Sequence, residues 1–141
     1  MKAKDKTVGY TTGVFDLFHI GHLNIIKNAK AECDYLIVGI TTDELAETLK
    51  GQRPIIPFVE RKSIVESIKY VDQVVAQREI NELNDWKNYQ FTKIFKGGDW
   101  KNSEKWNKLE KTFASLGVSV VFFPYTEHTS STYLKAILEK L

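Results

Sequence analysis

The stretch "TTGVFDLFHIGHLN", residues 11–24, sets His19 and His22 on either side of Ile20 and Gly21. The whole chain has only three histidines, so two of them fall within four positions. Imidazoles bind metals, move protons or donate hydrogen bonds to anions. The setting of this pair favours anion binding. A β-branched run, "TVGYTT" (7–12), comes before it, and a run with helical spacing, "LNIIKNAKAE" (23–32), comes after. A helix opening near Ile20–Gly21–His22 aims unpaired N–H groups and the positive end of its dipole beyond the strand. That is an anion site before any side chain contributes. Gly21 lets a phosphate approach the backbone because no β-carbon intrudes. Imidazoles three residues apart can share one side of the helix start. Metal ligation has no obvious acidic partner set apart from Asp16, and the plainest alternative is polar residues tolerated at a helix start.

The elements that must hold this pair can be read from the rest of the chain. "DYLIVGI" (34–40) is an apolar run bounded by polar residues, the pattern of a strand buried on both faces. "TTDELAETL" (41–49) opens with Thr41 and has Glu44 three residues on, which predicts a capping box and a short helix. Gly51, Pro54 and Pro57 in "KGQRPIIPF" end that helix. Helical spacing returns over 59–70, strands are predicted over 72–77 and 91–96, and a weaker helical piece lies around 80–88. "SEKWNKLEKTFASLG" (103–117) reads as a helix closed by a glycine, and "VSVVFFP" (118–124) as a strand stopped by Pro124. A last helix over 130–141 should turn Tyr133 or Leu134, Ile137, Leu138 and Leu141 inward. Alternation of this kind implies one α/β domain over residues 1–141: a Rossmann-like, doubly wound parallel sheet of five strands with helices on both faces. Such sheets bind ligands beyond the carboxyl ends of their strands, which is where His19 and His22 should lie.

The totals narrow the function. With 141 residues, 43% hydrophobic and 27% charged, the chain reads as globular. A net charge of +2 does not argue for nucleic acid or a membrane surface as partner. No apolar run is long enough to span a bilayer, and "MKAKDKTVGY" lacks the apolar core of a secretory leader. The single Cys33 offers no disulfide framework, so the expectation is a cytoplasmic protein. A nicotinamide enzyme is disfavoured, because the first strand–helix turn lacks G-x-G-x-x-G.

"GVFDLFHIGH" resembles the signature of the HxGH nucleotidyltransferase superfamily, and of its cytidylyltransferases in particular. Further stretches agree in order: "YLIVGITTDE" (35–44), "ERKSIVESIKYVDQVV" (60–75), "KGGDW" (96–100) and "YTEHTSST" (125–132). The resemblance covers essentially the whole chain. It implies transfer of CMP from CTP to a small phosphorylated acceptor, with release of pyrophosphate. "IKYVDQVV" and "GGDW" point to glycerol 3-phosphate as acceptor and CDP-glycerol as product, a precursor of a bacterial surface polymer. "KGQRPIIP" and "KGGDW" are nearly as similar to adenylyltransferases acting on a heptose 1-phosphate. Other phospho-alcohol acceptors, and a non-catalytic nucleotide sensor, are the remaining readings.

The same resemblance implies roles. His19 and His22 would hold the phosphates, while Thr12, Gly13, Val14, Phe15, Asp16 and Gly21 line the nucleotide. Lys50 falls where the family has a basic loop that closes over acceptor and α-phosphate, and Arg61, Lys69 and Asp16 would reach the acceptor. Gly98 and Asp99 would approach base and ribose, with Trp100 packing nearby. Tyr125, Thr126, Ser130, Ser131 and Thr132 would hold the outer phosphates, although Tyr125 and His128-Thr129 depart from the family's Arg and Gly-Ile. His128 is a candidate to replace the missing charge. Mg²⁺ is expected to arrive with the triphosphate, held by phosphate oxygens and water rather than by protein ligands. The resemblance also implies a homodimer, with Lys69–Asp72 near the contact.

Overall fold

Five short strands rich in β-branched and aromatic residues alternate with six helices in a computed structural model that describes residues 6–124 and 131–141. The strands are β1 (Val8–Gly13), β2 (Tyr35–Thr41), β3 (Gln73–Gln77), β4 (Lys93–Gly97) and β5 (Ser119–Phe123). The helices are α1 (Ile20–Ala31), α2 (Asp43–Lys50), α3 (Phe58–Glu66), α4 (Glu82–Tyr89), α5 (Glu104–Ser115) and α6 (Ser131–Glu139). All pairings are parallel, in the order β3-β2-β1-β4-β5. This is the Rossmann-like α/β sheet read from the sequence. Strand order reverses between β1 and β4, so a crevice opens beyond Gly13 and Gly97.

Alternation along the strands divides the core. Leu36, Val38, Ile40 and Phe95 pack with Ile26 and Ala29 of α1 and Val65 of α3 on one face. Tyr10, Ile37 and Ile94 pack with Trp106 and Phe113 of α5 on the other. β2 is buried almost throughout, as its unbroken apolar run requires.

Several boundaries differ from the sequence reading for local reasons. Thr41 is the last residue of β2, and its hydroxyl donates to Gln77 Oε1 (2.8 Å), so it cannot cap a helix. Thr42 caps α2 instead, accepting from Leu45 N (3.2 Å). The helix expected over 59–70 ends at Glu66. Successive turns then carry the chain to Asp72, whose N–H donates to Leu36 O as it enters the sheet. The largest departure is α6. Tyr133, Ile137, Leu138 and Leu141, expected inside, are all exposed.

Candidate functional site

α1 opens on a reciprocal cap made by the two histidines. His19 is the N-cap, and its Nδ1 accepts from Gly21 N (3.0 Å). His22 stands at the third helical position, and its Nδ1 accepts from His19 N (3.3 Å). Imidazole thus does what Ser and Glu do in a capping box. Because both Nδ1 atoms accept, the neutral rings carry their protons on Nε2, where they can donate. The rings stack with centroids 3.9 Å apart, and Phe15 presses edge-on against His22 at 5.3 Å. Burial, with His19 alongside, pushes the His22 pKa down to about 4, a fall that Asp16 opposes and Lys50 reinforces. Burial lowers that of His19 as well. Near neutral pH the site therefore presents two uncharged Nε2–H donors over a helix N-terminus.

The loop that delivers these rings is strained. Phe15 (φ 55°) and Leu17 (φ 51°) are left-handed without being glycine, at a cost of about 1–2 kcal/mol each. Asp16 between them is 2% exposed and holds the loop in place. Its carboxylate accepts from Ile55 N and Ile56 N (2.8 Å each) and pairs with Lys135 of α6 (2.9 Å). Burial alone would raise the carboxyl pKa, but Lys135 and the two peptide N–H groups hold it below the ordinary range. The Asp16 carbonyl accepts from Ser131 Oγ (2.6 Å), which also lies 3.5 Å from His19 Nε2. Ser131 thereby lies beside His19, whereas Thr132 is exposed on α6. Asp16 reaches the site as its fastener, with its carboxylate already committed to other groups.

Lys50 ends α2 because Gly51 (φ 81°) takes the left-handed C-cap. Partial burial and Lys135 lower the Lys50 pKa, an effect that Asp16 opposes, and Lys50 in turn acts on His22. Lys50 thus stands with the cluster. Arg61 does not present its guanidinium to the acceptor. The side chain is fully buried: Nε donates to Ile56 O, Nη1 to Val14 O and Thr41 O, and Nη2 to Asp43 Oδ1, all within 2.8 Å. Three backbone carbonyls and the Asp43 carboxylate take up its N–H groups, and it positions the ends of β1 and β2. Lys69 is not brought to the site either. It lies three residues before Asp72, which bonds to Leu36 at the opposite edge of the sheet, and its ammonium sits 5.2 Å from the Tyr70 ring.

Beyond β1 and β4, a cavity of about 200 Å³ is lined by Thr12, Gly13, Val14, Phe15, His22 and Trp100, among others. Gly98 is needed there, since a β-carbon would stand 3.0 Å from Phe123 O. Trp100 is exposed along the cavity rather than packed away. Lys96, which the sequence reading did not single out, also lines it. Its ammonium lies 5.0 and 5.4 Å from the Trp100 and Trp106 ring centres, and burial lowers its pKa. Asp99 falls in the 3-10 turn that carries Trp100. Tyr125, Thr126, His128, Thr129 and Ser130 lie outside the described residues.

A five-stranded parallel sheet with a helix start and two imidazoles at its switch point defines an α/β protein of Rossmann-like fold. Residues 10–137 match the family model described as cytidylyltransferase-like, and the chain belongs to that family. It is 32% identical over 132 residues to glycerol-3-phosphate cytidylyltransferase of Bacillus spizizenii, covering 93% of this chain and 96% of that protein. It is 39% identical over 100 residues to the bifunctional protein HldE of Caulobacter sp. strain K31, covering 70% of this chain. The chain spans only 20% of that bifunctional relative. Among solved structures, the lipopolysaccharide core biosynthesis protein of Thermoplasma volcanium superposes with a TM-score of 0.72 at 26% identity, covering 88% of this chain and 99% of that one. Among the described residues, no helix is long and apolar enough to cross a membrane.

Proposed function

We propose that the protein transfers CMP from CTP to glycerol 3-phosphate, giving CDP-glycerol and pyrophosphate. The observation that carries this reading is the pair of stacked imidazoles whose Nδ1 atoms are committed to the α1 backbone, leaving two Nε2–H donors at its positive end. Likeness to glycerol-3-phosphate cytidylyltransferase over nearly the full length of both chains supports the choice of substrates. An acceptor phosphate oxygen attacks the α-phosphorus, the bond to the β-phosphate oxygen breaks, and pyrophosphate leaves with that electron pair. No side chain needs to act as nucleophile. The protein's part is to align the reactants and to neutralise charge as it moves onto the leaving group. His19 and His22 donate to phosphate oxygens, Lys50 supplies positive charge, and Ser131 keeps α6 against His19. Mg²⁺ would neutralise further charge on the triphosphate. Phosphate oxygens and water would hold it, since the Asp16 carboxylate is already taken by Ile55 N, Ile56 N and Lys135.

A second reading has a specific basis. "KGQRPIIP" and "KGGDW" also resemble enzymes that transfer AMP from ATP to a heptose 1-phosphate. Pyrophosphate release measured for CTP and ATP against glycerol 3-phosphate and a heptose 1-phosphate decides between them. The first reading expects turnover with the CTP–glycerol 3-phosphate pair. Turnover confined to the ATP pair selects the second, and nucleotide binding without turnover points to a sensor.

A further inference from the structure

α6 is fastened to the catalytic loop by polar contacts on one of its faces. Ser131 and Lys135, one turn apart, meet the carbonyl and the carboxylate of Asp16, and Leu138 continues the same face. A helix rises 1.5 Å per residue, so Leu138 stands about 10 Å beyond the end that touches His19. There, between α6 and the connection that follows Lys50, lies a cleft of about 280 Å³ lined by Gln52, Arg53, Ile55, Lys135, Leu138 and Glu139. Lys135 and Ile55 are a wall common to this cleft and to the Asp16 cluster.

The lining has a definite chemical character. Lys135 and Arg53 are cations, Gln52 and Glu139 are hydrogen-bond acceptors, and Ile55 and Leu138 are apolar. Arg53 is half-exposed and faces Asp43, Glu44 and Glu47 only at 3.6–3.9 Å, so its guanidinium is loosely held and can turn to a better partner. Two cations suit a phosphate, acceptors suit hydroxyls, and an aliphatic floor suits a short carbon chain. Arg61 and Lys69, the cations the sequence suggested for the acceptor, are enclosed and remote respectively.

We propose that this cleft is the acceptor subsite and takes a phosphorylated polyol or sugar, with Arg53 and Lys135 at its phosphate. The inference rests on the nucleotidyl-transfer reading above, since the cleft shares Lys135 and Ile55 with the Asp16 cluster, and the Asp16 carbonyl holds the Ser131 that lies against His19. Lys50 feels the charges of both Lys135 and Asp16.

The test separates acceptor from nucleotide. With whichever pair of substrates turns over, Arg53→Met should raise the acceptor KM about tenfold and leave the nucleotide KM within about twofold, with Arg53→Lys recovering part of the loss. Lys135→Met should do the same or more, and Lys135→Arg keeps the charge on buried Asp16 so that the chain folds. A nucleotide KM that rises as much as the acceptor KM, or an acceptor KM unmoved by Arg53→Met, overturns the assignment. Calorimetric titration with glycerol 3-phosphate and with a heptose 1-phosphate reads the cleft without catalysis. Binding by the wild type that Arg53→Met weakens about tenfold upholds the subsite even if no nucleotide is turned over, in which case only the transfer reading fails. No binding of either probe, with or without nucleotide, overturns the subsite itself.

Discussion

Two aspartate–lysine pairs sit at opposite edges of the sheet, and they differ in what surrounds them. At the amino-terminal edge, Asp72 accepts from Leu36 N (2.7 Å) and pairs with Lys30 (2.6 Å), both side chains about one-third exposed. At the carboxyl edge, Asp16 accepts from two peptide N–H groups and pairs with Lys135 (2.9 Å), but its side chain is 2% exposed. The chemistry is the same: a carboxylate fastens a chain entry and a lysine balances it. At the amino edge water shares the load, and the pair has little to do beyond starting β2. At the carboxyl edge the carboxylate lies between two strained residues, beside both histidines and two lysines. Burial turns a fastening of the fold into a part that sets the geometry of the site.

The largest contrast should be in stability. Asp16→Asn places an amide nitrogen against peptide N–H groups and strands Lys135, so denaturant unfolding should show a loss of roughly 3–5 kcal/mol. Asp72→Asn should cost about 1 kcal/mol, because the asparagine oxygen can still accept from Leu36 N and Lys30 is partly exposed to water. Equal losses at the two edges would remove the distinction. Turnover should divide the edges as sharply. His19→Asn or His22→Asn should lower kcat by about 10²–10³ in steady-state assays, while Lys30→Met should leave kcat unchanged. Arg61 belongs with the buried edge: Arg61→Met takes the guanidinium from the Val14 and Thr41 carbonyls and leaves Asp43 without its nearest cation, and should destabilise by roughly 3–5 kcal/mol. A change confined to the acceptor KM would return Arg61 to the acceptor.

A further effect is a matter of pH. In the unfolded chain His22 takes a proton near 6.5, and in the folded protein only near 4. Between those values the unfolded state binds the extra proton, so stability should fall as pH drops from about 6.5 to 4 and then level off with respect to this group. His22→Gln retains a side chain able to complete the cap and should flatten that slope when denaturant midpoints are compared. Identical slopes would show that His22 does not titrate in this way.

Much of the fold was legible because period and punctuation agreed. The unbroken apolar run of β2, the glycines closing α2 and α5 and the strand–helix turn at His19 all lie where local rules put them. The histidine pair was legible for the same reason, since a helix start is a local event. What the sequence could not display was long-range polar accounting. Nothing near "ERK" signals that Val14, Thr41 and Ile56 leave carbonyls facing Arg61, and nothing near Lys135 signals a carboxylate more than a hundred residues earlier. Lys69 misled because charge and motif position say little about which edge of a sheet a residue reaches. The apolar stripe of α6 misled because periodicity shows that a face exists, not that the chain covers it.

The central claim is that His19 and His22 receive nucleotide phosphate through Nε2–H. Nitrogen-15 resonances of the histidine rings, followed through a titration with CTP and then with ATP, test it directly, and His19→Asn and His22→Asn assign two of the three signals. The account predicts Nε2-protonated neutral rings before nucleotide, and large Nε2 shifts for both on saturation with the nucleotide that supports turnover. Rings protonated on Nδ1, or resonances of residues 19 and 22 that stay in place while nucleotide binds, would contradict it.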